Sequence, residues 1–326
     1  MSVPAGKRIV AAADLGSQTF RLAVVSTNGS DAELLASKLT NVRLGEGLAS
    51  AGLLSENAVE KAVDALRGFR KILREYRVDE LRVCGTAALR HARNSDYFIE
   101  RAGAEGFEVE VLSGEEEART SAKGVSYSLP DIASPFLVVD IGGGSSEFVL
   151  VRDGNILYSQ SLKLGAVGLT EVFLRSDPPR PEELEGLRQD VRRRIYDLQC
   201  LLPVPPAAIV GVGGTVTTLA AVAQDMGRYD PSRIRGYILS LETLEALWTS
   251  LVAMGLRDRG QVKGIDPRRA DIMPAGLAIV HEVLNALRRR ELVVTDGGLL
   301  LGLLVSLFEK ESVTDVKSIH PTGLYI

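Results

Sequence analysis

The stretch FLVVDIGGGSSEFVLVR (136–152) decides the fold. An apolar run ends in Asp140, a glycine turn with hydroxyls follows, and a second apolar run starts at Glu147, which predicts two strands around a tight turn. Glycine is needed where a chain takes a positive φ or passes close to a ligand. Such a turn points backbone N–H groups into one concavity, a nest suited to phosphate. The same plan appears 126 residues earlier: DLGSQTFRLAVV (14–25) matches DIGGGSSEFVLV (140–151). Two copies predict two related domains, each with a glycine loop. Ser126–Pro135 holds two prolines and turn residues, so the boundary is placed there, giving domains 1–125 and 126–326, with the last helix able to pack back on the first.

Outward from these loops, strand-like and helix-like segments alternate, the pattern of an α/β protein. Strands are predicted at 8–14, 20–26, 81–85, 136–141, 147–152, 156–162 and 208–211. Val59, Val63, Leu66, Phe69 and Leu73 form a helical stripe over 56–77. One long helix is predicted over 181–202, stopped by Pro203, Pro205 and Pro206, and another from about Val216.

Composition narrows the function. The chain has 326 residues, enough for two domains, with 38 basic and 42 acidic side chains and a net charge of −4. Neither half carries a basic excess, so general nucleic-acid binding is excluded and any polyanion must be held by a local site. One local patch exists: residues 228–269 hold eight basic and five acidic side chains. Two cysteines and three histidines exclude a disulfide scaffold and argue against a zinc cluster. The apolar run 299–308 is about half a membrane span, and no signal-peptide core follows Lys7 and Arg8. No membrane partner and a reduced cytoplasmic location are expected.

Several residues can carry chemistry. The loops Gly16-Ser17-Gln18 and Gly142-Gly143-Gly144-Ser145 have the make-up of phosphate nests. Asp14 and Asp140, at the preceding strand ends, suit a hard divalent cation that also touches phosphate; taken singly, each loop is equally a glycine hairpin. A third loop, Gly211-Val212-Gly213-Gly214-Thr215, leads into a helix whose N-terminus can receive an anion; read alone, Thr215 is simply a helix cap. Ser113 with Glu116 fits a capping box, which makes Glu115, Glu116 and Glu117 a structural first turn. Thr86 and Arg90 sit on one helix face and can grip a phosphate, or serve as a cap and a surface arginine.

Taken together, the chain resembles the Ppx/GppA (exopolyphosphatase/guanosine pentaphosphate phosphohydrolase) family of the actin-like superfamily. The resemblance rests on ADLGSQTFRLAVV (13–25), GTAALRHARN (85–94), LSGEEEAR (112–119), DIGGGSSEFVL (140–150), SLKLGAVGLTE (161–171), VGVGGTVTTLA (210–220), GIDPRRADIMPAGLAIV (264–280) and VVTDGGLL (293–300). It implies two actin-like (ribonuclease H-like) domains with mixed sheets flanked by helices and an active site in the cleft between them. It also implies magnesium-dependent (or manganese-dependent) release of a terminal phosphate from polyphosphate or guanosine pentaphosphate. Glu117 then becomes the catalytic carboxylate that positions water, Asp140 and Glu147 the metal-binding acids, and Gly142, Ser145, Ser17 and Arg90 phosphate contacts. Phosphoanhydride cleavage needs charge neutralisation and in-line water, which such a set supplies. A homodimer is compatible with the apolar 299–308 segment. The chain also departs from the pattern. Gln18 and Thr19 stand where Asn-Ser is usual, Gly168 where Arg is common, and Leu300-Leu301 where Arg-Glu is usual. The short two-domain form points to short polyphosphate. A non-hydrolytic alarmone sensor on the same scaffold, or a kinase, are the other functional readings.

Overall fold

The computed structural model describes residues 7–28 and 32–309. They divide into two units. One runs to Ser128 and resumes at Gly297; the other is Leu129–Asp296. The first sheet contains β1 (Arg8–Leu15), β2 (Thr19–Thr27), β3 (Ala32–Asn41), β4 (Glu80–Gly85) and β5 (Val109–Val111) in the order β3-β2-β1-β4-β5. The second contains β6 (Phe136–Ile141), β7 (Ser146–Arg152), β8 (Asn155–Leu162), β9 (Ala208–Val212), β10 (Tyr237–Ser240) and β11 (Glu291–Val294), in the order β10-β11-β9-β6-β7-β8. Each begins with an antiparallel three-strand meander, β1-β2-β3 or β6-β7-β8. Each then continues with parallel strands beside its first strand, β4 and β5 or β9 and β11. The repeat seen in the sequence is therefore a repeat of topology, with β10 added at one edge. These are the two mixed, helix-flanked sheets that the resemblance implies.

Alternation along β1 buries both faces of the first sheet. Ile9, Ala11, Ala13 and Leu15 join the core under helix Glu56–Tyr76, whose Val59, Ala62, Val63, Leu66 and Phe69 are buried. Val10 and Ala12 point the other way, into a cluster with Leu299–Leu301, Leu303, Leu304, Val305 and Leu307 of helix Leu299–Glu309. Leu300 and Leu301, at 3% and 1% exposure, thus replace the usual charged pair with packing. The same helix lies so close to helix Gly114–Ser128 that a β-carbon on Gly302 would collide with the Thr120 carbonyl, and one on Gly124 with the Gly298 carbonyl.

Strands β5, β10 and β11 were not among the predicted ones, and two further differences concern β3 and the helix that starts at Pro181. Strand β3 carries helix formers (AELLASKL) and was not predicted; pairing with β2 overrides its propensity, and its half-exposed edge suits the mixed polar pattern. The single helix over 181–202 is instead Pro181–Arg194 followed by a turn and Leu198–Leu201, with Ile195 and Leu198 both in the core.

The second unit contains a buried charge cluster. The Glu282 carboxylate, 3% exposed, accepts from Arg188 Nε at 2.6 Å and from Arg192 Nε at 2.8 Å. Arg188 also lies over the Trp248 ring, 5.2 Å from its centre. Burial pushes the Glu282 carboxyl up, but hydrogen bonds from His281, Arg192 and Arg188 together outweigh it and hold it at about 2.

Two stability outcomes follow. Gly302→Leu drives a side chain into the Thr120 backbone and is expected to lose about 3 kcal/mol or more in urea unfolding. For Glu282, a folded-state value below the ordinary 4.5 means stabilisation that is full above pH 4.5 and lost as pH falls toward 2. Glu282→Gln is expected to lose on the order of 3 kcal/mol at neutral pH, and its unfolding free energy falls less steeply between pH 4.5 and 2 than that of the wild type.

Candidate active site

The candidate site residues lie at, or just beyond, the carboxyl end of a strand in their own sheet, where open α/β sheets bind ligands, except Glu147, which stands at the amino end of β7 opposite Asp140. In the first unit β1 delivers Asp14 and Gly16, β4 delivers Thr86 and Arg90, and β5 delivers Ser113 and Glu117. In the second, β6 delivers Asp140 and Gly142, β7 starts at Ser146 and Glu147, and β9 delivers Gly213.

The two glycine loops have the same hydrogen bond. Gly16 N–H donates to the Thr19 carbonyl at 3.1 Å, and Gly142 N–H to the Ser145 carbonyl at 3.0 Å. A β-carbon would sit 2.9 Å from the first acceptor and 3.1 Å from the second, so the first turn has no space for one and the second is tight. The first loop is clamped from behind: Ser17 and Gln18, both buried, accept through their carbonyls from Gly45 N–H and from Val42 and Arg43 N–H. The second packs on helix Ala166–Phe173, whose Ala166 and Val167 N–H groups donate to Gly142 and Gly143 carbonyls. Gly143 and Gly144 remain partly exposed, while Ser145 is buried.

What differs between the loops is the residue facing the aspartate. In β1/β2 it is Arg21, which donates to Asp14 Oδ2 at 2.7 Å and 3.2 Å. In β6/β7 it is Glu147. Asp14, expected to help hold a cation, is thus already paired with a cation of the protein, because the register sets Arg21 opposite it. Asp140 and Glu147 place two carboxylates side by side, the donor set a magnesium ion takes. Glu147, 2% exposed, is oriented by a 2.7 Å bond from Ser161 Oγ, the residue opposite it in β8. Among the described residues, no group of three or more His, Cys, Asp or Glu side chains comes together as a metal site.

The third loop joins the second acid pair. Gly213 is at φ +89°, and a β-carbon there would lie 2.8 Å from Asp140 Oδ1. The helix starts at Gly213 rather than Val216, so Thr215 falls inside the first turn and does not cap it. Its side chain packs on Gly276 instead, where a β-carbon would meet it. Arg269 was missed by sequence reasoning: its guanidinium lies against Gly214, where a β-carbon would displace it. The signal was present in Asp266-Pro267-Arg268-Arg269, where Asp266 caps a 3-10 turn that presents the arginines.

In the first unit, the three glutamates separate by surroundings. Glu116 and Ser113 form the predicted reciprocal capping box, and the Ser113 hydroxyl and backbone N–H hold the Glu116 carboxyl below its ordinary range. Glu115 pairs with Arg119 on the surface. Glu117 alone of the three is buried, at 8% exposure, and it accepts from Arg90 Nη1 at 2.8 Å. That nitrogen also donates to the Leu112 carbonyl at 2.8 Å, while Arg90 Nη2 is buried with no hydrogen-bond partner among the described residues. Thr86 is buried at the head of helix Ala87–His91 without a side-chain capping bond. Cys84 is no nucleophile: burial pushes its thiol up to about 12.

Residues 23–311 match the Ppx/GppA phosphatase family. The chain belongs to that family. "Exopolyphosphatase 2" of Mycobacterium tuberculosis is 33% identical over 313 residues, which cover 91% of this chain and 98% of that protein. A guanosine-5'-triphosphate,3'-diphosphate pyrophosphatase of Aeromonas salmonicida is 30% identical, over 95% of this chain and 61% of its own. Among solved structures, the Aquifex aeolicus Ppx/GppA family member superposes with a TM-score of 0.80 at 31% identity, covering 94% of this chain and all of its own. An exopolyphosphatase from Cytophaga hutchinsonii gives 0.87 at 28%, with the same coverage. As a Ppx/GppA protein the chain is a phosphatase that releases phosphate by hydrolysis. No helix among the described residues is long and apolar enough to cross a membrane.

Arg90 places Nη1 on the Glu117 carboxylate and the Leu112 carbonyl and still carries Nη2, a planar fork that the single ammonium nitrogen of lysine does not have. Arg90→Lys is expected to lower phosphate release at least tenfold while the far-ultraviolet circular dichroism and melting temperature stay near those of the wild type.

Proposed function

We propose that this phosphatase removes the terminal phosphate of inorganic polyphosphate, and of guanosine pentaphosphate, with magnesium (or manganese) held by Asp140 and Glu147. The observation that carries the reading is the buried Glu117 carboxylate, set on its cation at the carboxyl end of β5, where capping needs only Glu116. A hydrolase needs a fixed acceptor for one water proton; a pure binder does not. Polyphosphate is placed first because the chain spans 98% of the relative named for it, against 61% of the guanosine-nucleotide relative.

The residues divide the work. Glu117 orients the attacking water, and Arg90 Nη1 fixes that carboxylate. Arg90 Nη2 offers its N–H to a phosphate oxygen, which reconciles the expected phosphate grip with the observed ion pair. The nests at Gly16–Gln18 and Gly142–Ser145, with the first-turn N–H groups at Gly213–Thr215, hold further phosphate oxygens. A bound divalent cation neutralises charge that builds on the phosphate oxygens during cleavage. Asp14 keeps Arg21 in place, and we assign it no metal contact.

Phosphate release is to be measured with magnesium on polyphosphate and guanosine pentaphosphate in parallel. Glu117→Ala is expected to lower turnover at least a hundredfold. In calorimetric magnesium titrations, Asp140→Asn is expected to weaken binding more than tenfold and Asp14→Asn to leave it unchanged. Absence of release from both substrates by the wild type would overturn the reading.

A further inference from the structure

Away from these residues, the first unit has a basic cavity that the hydrolytic reaction does not use. It lies where helix Glu56–Tyr76 and helix Ser95–Ala104 both end, has a volume of about 550 Å³, and takes its positive charge from Arg70, Arg74 and Arg77. Leu73, Leu81 and Phe107 supply apolar wall. The lining carboxylate, Glu105, is already satisfied by Arg67 Nε at 2.7 Å and Arg70 Nη1 at 2.9 Å. Arg74 and Arg77 have no acidic partner among the described residues, in a chain whose net charge is −4.

The cavity opens beside Leu81, near the amino end of β4, whereas Thr86 and Arg90 follow its carboxyl end. Leu81 and Gly85 are four residue steps apart along the strand, roughly 13 Å, so this is a separate place on the unit. Arginines at a helix C-terminus also complement the helix dipole, but that role requires neither a cavity nor an apolar wall. The volume is within the range of small-molecule sites, which join apolar lining to a few convergent polar groups.

We infer that this cavity is a second ligand site for a phosphate monoester with a flat or apolar organic part, such as a nucleoside monophosphate. Arg74 and Arg77 would take the phosphate, Arg through paired N–H donors, and Leu73, Leu81 and Phe107 the organic part. A plain polyanion would use the charge and leave the apolar wall in water.

Adenosine monophosphate is the probe, because it contains no phosphoanhydride for the hydrolytic centre to cleave. On adding it to the full chain, amide exchange is expected to slow in residues 70–78 and 103–107. In Arg74→Ala/Arg77→Ala the apparent affinity falls at least tenfold, with phosphate release from polyphosphate unchanged. Both side chains are exposed, so the double variant keeps the fold, which its melting temperature reports. No slowing in these segments, or equal slowing in the double variant, overturns the site. Tripolyphosphate protecting the same segments as strongly as adenosine monophosphate overturns the requirement for an organic part.

Discussion

The antiparallel register of β6 and β7 sets Asp140 directly across from Glu147. Like charges opposite each other on a sheet destabilise it, and here the sheet is tightly enclosed, with Glu147 nearly out of solvent. The turn joining the strands is restrained, because its glycine carbonyls are held by helix Ala166–Phe173, while Gly213 lies against Asp140 and Ile141 just before it. The equivalent pair in the first unit, Asp14 and Arg21, is balanced by a protein cation instead. The same strand plan thus carries two electrostatic arrangements, an acid pair in one unit and an ion pair in the other.

The second constraint is mechanical. Helix Gly114–Ser128 carries Glu117, and its seat is a backbone-to-backbone approach against helix Leu299–Glu309 at Gly124 and Gly302. That helix rests in turn on Val10 and Ala12 of β1, the strand that ends at Asp14. Leu300 and Leu301, both buried in the cluster around Val10 and Ala12, add to the packing under the helix that carries Glu117.

Much of this was legible in the sequence. The strands around both glycine loops, the 126-residue repeat and the capping box at Ser113 and Glu116 each follow from local rules, and local rules act within a few residues. The partners that define the site act over longer separations. Arg21 opposite Asp14 was readable once the hairpin was granted, as was Ser161 beside Glu147. The Arg90 bond to Glu117 spans 27 residues, and the approach of Arg269 to Gly214 depends on how a whole sheet is ordered. Propensity also misled where tertiary pairing won, as in β3.

The order in which the chain leaves the ribosome gives the last helix a further meaning. The second unit is one continuous segment, Leu129–Asp296, inserted into the first. Its core is complete as soon as that segment has emerged. The first unit must wait, because the cluster around Val10, Ala12 and Cys84 closes only with Leu299 to Leu307. Until then one face of its sheet stays open to water, and the helix carrying Glu117 lacks its seat. The Glu117 carboxylate is thus seated only after the segment bearing Asp140 and Glu147 has emerged.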